Sequence, residues 1–149
     1  MEIEALEDQE RRLVFSTFTE DTAVDLGQSL VNVARQRALP VVISIRTPNR
    51  TLFHAALPGA KPQNDQWARR KSNTVLMFHE SSLLVGTRLR AKPDTLERQA
   101  FAHADYSDSG GSFPIRVKRV GVVAAVTVSG LPQLDDHALV VEALTAMIG

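Results

Sequence analysis

Lys71 is the residue whose type and position say most about chemistry, because it interrupts an apolar helical stripe. Ala68, Lys71, Val75 and Phe78 recur at helical spacing, with Trp67 beside them. Burial lowers the pKa of a lysine and makes its amine a better nucleophile, base or anion anchor. The alternative is a snorkelling lysine, whose carbon stem packs against the core while its ammonium reaches water.

Arginine, histidine and serine side chains surround this lysine in the sequence. Arg69 and Arg70 extend the positive charge, although adjacent arginines are also typical of a solvated helix face. His79, Ser81 and Ser82 follow, and a serine–histidine pair can support nucleophilic catalysis. The sequence has no G-x-S-x-G elbow and no acid placed to orient the histidine. We therefore interpret the serines as residues that terminate the helix.

A polar, glycine-rich loop runs from Ser107 to Ser112 and contains Gly110 and Gly111. Consecutive backbone N–H groups in such a loop can form a nest that binds an anion. The loop is not a P-loop, because no G-K-[ST] follows, and it does not match G-x-G-x-x-G. A plain turn without a function is the alternative.

The four histidines do not form a metal-binding motif. They are His54, His79, His103 and His137. None belongs to an H-x-x-x-H or H-E-x-x-H pattern, so we expect no metal site. His54 shares one face of a predicted strand with Leu52 and Ala56, which favours a hydrogen-bonded core or interface histidine. An axial haem ligand is the alternative.

Composition limits the class of protein. The 149 residues include 44% hydrophobic and 23% charged residues, which suits one soluble domain over residues 1–149. The formal net charge is zero, which indicates no nucleic-acid or membrane partner and permits self-association. The absence of cysteine excludes disulfides and thiolate nucleophiles. An acidic N-terminus, and no apolar run near the ~20 residues of a membrane helix, predict a cytoplasmic protein.

Local patterns predict the elements that position these residues. A short helix runs to about Arg11 and an extended segment follows, before Thr19 caps a second helix that Pro40 stops. The remaining predicted elements are a β-hairpin of Val41–Arg46 and Thr51–Leu57, a helix from Asn64 or Asp65 to about His79, a helix over Ser82–Leu89, and a helical segment over Thr95–Ala102.

The last part of the chain is predicted to supply the central strand and a closing helix. Val120–Val128 is almost wholly apolar, as expected of a strand covered on both faces. Pro132 suits the first helical position, and Asp135 and Asp136 favour a helix N-terminus. The predicted buried face of this helix consists of Leu134, Ala138, Val141, Leu144 and Ile148. These elements predict an α+β domain with a mainly antiparallel sheet.

Four segments carry a resemblance to a known family. They read F-H-A-A-L-P-G (Phe53–Gly59), W-x-R-R-K-x-N-T-V-L-x-F-H (Trp67–His79), G-G-S-F-P-I-R-V (Gly110–Val117) and V-T-V-S-G-L-P-Q-x-x-D-H-x-L-V-V-E-A-L (Val126–Leu144). From about Leu13 to Ile148, the chain resembles the uncharacterised UPF-class branch of the GlcG/HbpS-like superfamily, whose domain is often called haem-degrading. The resemblance implies a profilin-like α/β/α sandwich with a five-stranded antiparallel sheet, and homo-oligomers.

The resemblance also marks individual positions. The family-typical residues are Trp67, Arg70, Lys71, Asn73, Ser81, Ser82, Gly110, Gly111, Phe113 and Pro114. Members of the branch commonly carry a histidine before the glycine pair, where this chain has Ser109.

Three functions remain open. The preferred one is a homo-oligomeric ligand-binding module whose third helix and glycine loop frame a pocket for a small anionic group on an apolar body, a description that haem also fits. The predicted ligand-binding residues are Lys71, Arg70, Trp67, Ser81, Ser82, Gly110, Gly111, Phe113 and Pro114, with His54 as the candidate haem ligand. The alternatives are a haem-binding or haem-degrading enzyme, with no catalytic residue assigned, and a protein-interaction adaptor.

Overall fold

Five α-helices and five strands make up the fold in a computed structural model that describes residues 2–149. The helices are α1 (Ile3–Arg12), α2 (Glu20–Gln36), α3 (Pro62–Phe78), α4 (Ser82–Ala91) and α5 (Gln133–Ile148). The strands are β1 (Val14–Phe15), β2 (Val42–Arg46), β3 (Thr51–Ala56), β4 (Ser112–Val117) and β5 (Gly121–Ser129). None of the helices in the described part of the chain combines the length and apolar character that a membrane crossing requires.

The five strands form one sheet in the order β1-β4-β5-β2-β3, so β5 lies at its centre as predicted. β2 pairs antiparallel with both β3 and β5, and β4 pairs antiparallel with β5. β1 pairs parallel with β4, with Val14 opposite Arg116 and Phe15 opposite Val117. The α+β class and five strands are therefore confirmed, and the fully antiparallel sheet is wrong. The reason is that a two-residue edge strand carries no local signal of its direction.

The two faces of the sheet differ in polarity because side chains alternate along each strand. Val126 and Val128 of β5 face the main hydrophobic core, which α2 and α5 cover. Thr127 lies on the other face, where its hydroxyl donates to Ser112 Oγ at 2.8 Å. Both side chains are buried. α3, which packs mainly against β5, β4 and β2, therefore covers a face with a polar centre.

α2 follows its predicted start and buried stripe. Thr19 caps the helix by accepting a hydrogen bond from Thr22 N–H at 3.3 Å. Its buried residues are Ala23, Leu26, Gly27, Leu30 and Ala34. Gly27 lies against the ring of Phe53 on β3, so that a side chain at this position would overlap the ring. The glycine thus lets α2 approach the sheet closely.

The buried face of α5 differs from the predicted one. Pro132 is the N-cap in extended conformation, with φ −53° and ψ 146°, so the helix begins one residue later than predicted. Leu134 is 51% exposed and Ala138 is also exposed. The residues that α5 buries are Asp136, His137, Leu139, Val140, Ala143 and Leu144. Leu144 is buried as predicted, and Val141 and Ile148 pack partly buried against the core. The prediction was wrong at Leu134 and Ala138, because the buried face contains two polar residues that a purely hydrophobic pattern does not count.

Two other boundaries also differ. α3 begins at Pro62, because this proline occupies the first turn and Asn64 accepts from the N–H of Lys61 at 2.8 Å. The helix predicted over Thr95–Ala102 is only a 3-10 turn, Glu97–Gln99. Ala100 ends this turn in the left-handed region, with φ 69°.

Candidate functional site

Lys71 is buried and forms an ion pair with a carboxylate from the far end of the chain. Its Nζ lies 3.0 Å from Asp136 Oδ2 and 3.4 Å from the carbonyl oxygen of Val128. Lys71 is 4% exposed and Asp136 is 1% exposed. The ammonium therefore ends at the sheet surface, between α3 and the start of α5, and does not snorkel into bulk water.

The turn between β5 and α5 holds the carboxylate of Asp136 in place. Oδ1 accepts from the N–H of Leu131 at 3.0 Å, and Oδ2 accepts from the N–H of Gly130 at 3.4 Å. Asp136 lies in the first turn of α5, where the helix dipole stabilises negative charge. The turn between β5 and α5 thus holds the carboxylate in place independently of Lys71.

Burial perturbs both members of this pair. Desolvation lowers the pKa of Lys71, although the charge and hydrogen bond of Asp136 oppose the shift. Desolvation also raises the pKa of Asp136, against the effects of Lys71 and of the two backbone N–H groups. The two shifts bring the proton affinities of the amine and the carboxylate closer together. Such an arrangement suits proton transfer between them.

The glycine loop contacts the same ion pair. Gly111 has φ 137°, and a Cβ built on it would lie 2.8 Å from Lys71 Nζ and 3.1 Å from Asp136 Cβ. Its carbonyl oxygen accepts from the N–H of Val128 at 2.9 Å. The N–H of Gly110 donates to the side chain of Gln133 at 2.9 Å. The predicted approach of Lys71 to the glycine loop is therefore present, and Asp136 and Gln133 of α5 complete the contact.

A hollow of about 230 Å³ lies over this contact. Its walls include Trp67, Lys71, Ser109, Leu131, Gln133 and Asp136. Trp67 is 37% exposed and supplies an aromatic wall at the surface. Ser109 lies on the rim. It occupies the position where members of the UPF-class branch commonly carry a histidine. The hollow therefore combines a buried charged pair with one aromatic side chain.

α3 also holds the loop that precedes the glycine pair. The guanidinium of Arg69 donates to the carbonyl of Ala104 at 2.7 Å, and Arg70 Nε donates to that of His103 at 2.9 Å. Asn73 donates to the carbonyl of Asp105 at 2.8 Å. The guanidinium of Arg70 also stacks over Trp67, 4.4 Å from the ring centroid. Arg70 thus borders the hollow indirectly, by positioning Trp67 and the loop.

Six other predicted site residues are not among those that line the hollow, namely Gly110, Gly111, Ser81, Ser82, Phe113 and Pro114. Ser81 accepts from the N–H of Leu84 at 3.1 Å and begins α4. Ser82 accepts from the N–H of Ser112 at 3.1 Å. Phe113 and Pro114 are buried in β4. Ser81 therefore caps the start of α4, and Ser82 joins α4 to the sheet. The interpretation that these serines end the preceding helix was wrong.

His54 does not line the hollow. Its Nε2 is 2.7 Å from Asp65 Oδ1, and its side chain is 47% exposed on the edge strand β3. It is hydrogen-bonded but is not a core histidine. Within residues 2–149, no group of three or more histidine, aspartate or glutamate side chains is arranged to hold a metal ion.

The residues of the hollow do not fit haem. No histidine lines it, and 230 Å³ is below the ~300 Å³ at which pockets for drug-sized ligands begin. His54 could reach a haem iron only at the surface or between two copies of the chain. One protomer therefore offers no enclosed haem pocket among the residues that the structure describes.

Asp136 is the site residue that sequence reasoning assigned only to the helix dipole. One signal was available, because a buried lysine normally needs a carboxylate partner. The sequence did not indicate which carboxylate, since the two residues are 65 positions apart. Ser109 and Gln133 likewise enter the hollow only through tertiary contacts.

Comparison with known proteins agrees with the fold. Residues 18–145 match the family model described as haem degrading protein HbpS-like, and the chain belongs to this family. A UPF0303 protein of Streptomyces coelicolor is 55% identical over 145 residues, which cover 97% of this chain and 92% of that protein.

Two solved structures share the architecture. The crystal structure of the Ybr137w protein superposes with a TM-score of 0.90 at 35% identity, covering 99% of this chain and 88% of that one. The crystal structure of HbpS gives a TM-score of 0.70 at 25% identity, covering 89% and 90%. The resemblance to a UPF-class branch of the HbpS-like superfamily is thus confirmed.

Proposed function

We propose that this chain is a homo-oligomeric module of one domain that binds a small molecule in the hollow beside Lys71. The observation that carries the proposal is the placement of a lysine ammonium at the floor of a surface hollow. An ammonium has three N–H donors, and the chain supplies acceptors for two of them, Asp136 and the carbonyl of Val128. One donor is left for a ligand.

The walls of the hollow define the ligand class. Trp67 and Leu131 offer apolar contact, whereas Lys71 and the N-terminal end of α5 favour an anionic or hydrogen-bond-accepting group. Asp136 offsets much of this positive charge, so hydrogen-bond geometry contributes more to selection than net charge does. The volume of about 230 Å³ suits a ligand on the order of ten non-hydrogen atoms.

Self-association has support of a different kind. β3 is the terminal strand of the sheet, and Met77 and Leu134 are each 51% exposed. A terminal strand and exposed apolar side chains favour contact with another chain. Light scattering on the purified protein tests this part of the proposal, and a monomer at all concentrations would contradict it.

The fluorescence of Trp67 provides a direct test of binding, because it is the single tryptophan of the chain. Titration with butyrate, lactate or inorganic phosphate should give a saturable change for at least one of them. Lys71→Arg should weaken that binding while keeping a cation beside Asp136, and Lys118→Arg on the exposed surface is the matched control. Unchanged fluorescence with all three probes would contradict the proposal.

Haem binding at an exposed site is a second candidate. Family membership supports it, together with the hydrogen bond between His54 and Asp65, since a carboxylate commonly orients a histidine that ligates iron. Haem titration should then give a Soret shift that His54→Ala abolishes and His103→Ala retains. A shift of equal size in both variants would rule out His54 as the ligand.

A further inference from the structure

Lys71 differs from the other lysines of the chain in its surroundings. Lys61, Lys92 and Lys118 are exposed, whereas Lys71 is 4% exposed and lines a hollow. A water-excluded amine is a better nucleophile than a hydrated ammonium, because less solvation is lost when it reacts.

The carboxylate partner is positioned for proton transfer. Asp136 Oδ2 lies 3.0 Å from Lys71 Nζ, within hydrogen-bond reach, and the turn N–H groups of Leu131 and Gly130 prevent it from moving away. Desolvation lowers the pKa of the amine and raises that of the carboxyl group. The hydrogen bond between them therefore provides a direct path for a proton from the ammonium to the carboxylate.

A reacting atom can reach the amine from the hollow, because Lys71 is one of the residues that line it. Gly111 packs against the amine from the loop, where a Cβ would lie 2.8 Å from Nζ and 2.5 Å from the carbonyl oxygen of Val128. A buried ion pair contributes little net stability compared with an apolar pair of the same size. Structural stability alone therefore does not account for a lysine and a carboxylate that meet at the floor of a hollow.

We propose that Lys71 captures a small aldehyde or ketone as an imine in the hollow, with Asp136 as the proton carrier. This inference rests on the proposed binding function and names its ligand class. A 2-oxo acid is a suitable ligand in particular, because the dipole at the N-terminal end of α5 attracts its carboxylate while its carbonyl carbon meets Nζ.

The step is balanced without a further reactant. Asp136 takes a proton from the ammonium, and the nitrogen lone pair forms a C–N bond to the carbonyl carbon. A second nitrogen proton and the proton on Asp136 reach the former carbonyl oxygen, which leaves as water with its bonding electron pair. The product is a protonated imine, and hydrolysis by water reverses the step.

Reductive trapping tests the proposal on the full chain. Pyruvate with sodium cyanoborohydride should modify Lys71 in preference to the three exposed lysines, as measured by intact mass and peptide mapping. Lactate, which has a hydroxyl group in place of the carbonyl, should give no adduct. Lys71→Arg, which keeps a cation beside Asp136 but cannot form an imine, should lose the preferred adduct. Asp136→Asn should slow trapping at Lys71 by at least about tenfold, the size of effect typical for loss of a proton-transfer group.

The outcomes separate this inference from the binding function. If pyruvate and lactate both change Trp67 fluorescence and Lys71 is modified no faster than Lys118, the covalent step is wrong and the binding function stands. If pyruvate, lactate, butyrate and phosphate all leave the fluorescence unchanged and Lys71 is unmodified, both are wrong. Preferential modification that persists at the same rate in Asp136→Asn supports the imine and removes Asp136 from the step. Thermal unfolding of each variant shows whether it is folded.

Discussion

Lys71 on α3 and Asp136 on α5 are 65 positions apart in the sequence, and their charged atoms lie 3.0 Å apart beneath the glycine loop. The pair joins two helices that cover opposite faces of the sheet, at the edge where β5 turns into α5. It therefore contributes to the fold and to the floor of the hollow at the same time.

Removing one charge of this pair is expected to be more harmful than removing both. Lys71→Met leaves a buried, unpaired carboxylate and should lower the free energy of unfolding by about 3–5 kcal/mol. The double variant Lys71→Met/Asp136→Asn removes both charges, and its amide oxygen can still accept from Leu131 N–H. It should therefore recover most of the loss in denaturant-induced unfolding.

The surface pair of Arg37 and Glu142 is the matched control for that experiment. Its side chains are 52% and 48% exposed, so solvent screens their attraction. The corresponding double-mutant cycle should give a coupling close to experimental error. A coupling as large as that between Lys71 and Asp136 would contradict the assigned role of burial.

Gly111 should tolerate no side chain. Gly111→Ala places a Cβ 2.5 Å from the carbonyl oxygen of Val128 and 2.8 Å from Lys71 Nζ at a φ of 137°, so it combines backbone strain with a clash. Gly121→Ala has a similar φ of 109°, but no heavy atom lies within 4 Å of its Cβ. We expect strain of about 1–3 kcal/mol in both variants and a further ~1–3 kcal/mol in Gly111→Ala alone. Equal losses in chemical unfolding would show that the clash is relieved.

Ser109→Phe should block the hollow without unfolding the protein. Ser109 is half-buried on the rim, so a phenyl ring there can occupy the hollow without entering the core. Any ligand that changes Trp67 fluorescence should bind at least about tenfold more weakly, because the ring competes for its volume. Ser16→Phe, at an exposed position outside the lining, should bind normally. Normal binding by Ser109→Phe would place the ligand elsewhere.

His137 should make the protein sensitive to acid. Burial lowers its pKa from 6.5 to about 4. Its Nε2 hydrogen-bonds the side chain of Gln9 at 2.7 Å, and its Nδ1 is buried without a partner in the described structure. Between these two pH values the unfolded chain binds a proton that the folded chain does not, so stability rises with pH and is lost as pH falls.

The shift corresponds to a loss of about 3 kcal/mol by pH 4, which urea unfolding at a series of pH values can measure. His137→Gln cannot be protonated, so its unfolding free energy should change less over this range, whatever its absolute stability. A slope equal to that of the unmodified protein would assign the acid sensitivity to other groups.

Local patterns predicted the elements whose signals lie within a few residues. The Thr19 cap, the hairpin turn and the apolar run of β5 each specify their own conformation. The parallel pairing of β1 with β4 joins residues about a hundred positions apart, and no short window of sequence encodes it. The buried face of α5 was mispredicted in part for a related reason, because Asp136 and His137 are buried only through partners on α3 and α1.

For the candidate site too, local patterns predicted some features and tertiary packing determined the others. The apolar stripe around Lys71 indicated its burial, and the glycine pair indicated a close backbone approach. Neither pattern could identify Asp136 as the counter-ion or exclude Ser82 and Phe113, because tertiary packing decides both. The sequence patterns therefore predicted that Lys71 and the glycine loop lie close together. They did not predict that Asp136 and Gln133 of α5 complete the hollow.

The hydrogen bonds from α3 to the carbonyls of residues 103–105 mean that the proposed binding hollow is already formed in the free protein. Three side chains already hold the segment that leads to Ser109. Ligand binding would therefore not have to order a flexible loop, and would cost little conformational entropy. Amide hydrogens of residues 105–109 should consequently exchange as slowly in the free protein as in a complex. The rates of ligand binding and release would then depend on diffusion of the ligand into and out of the hollow, and not on closure of a lid.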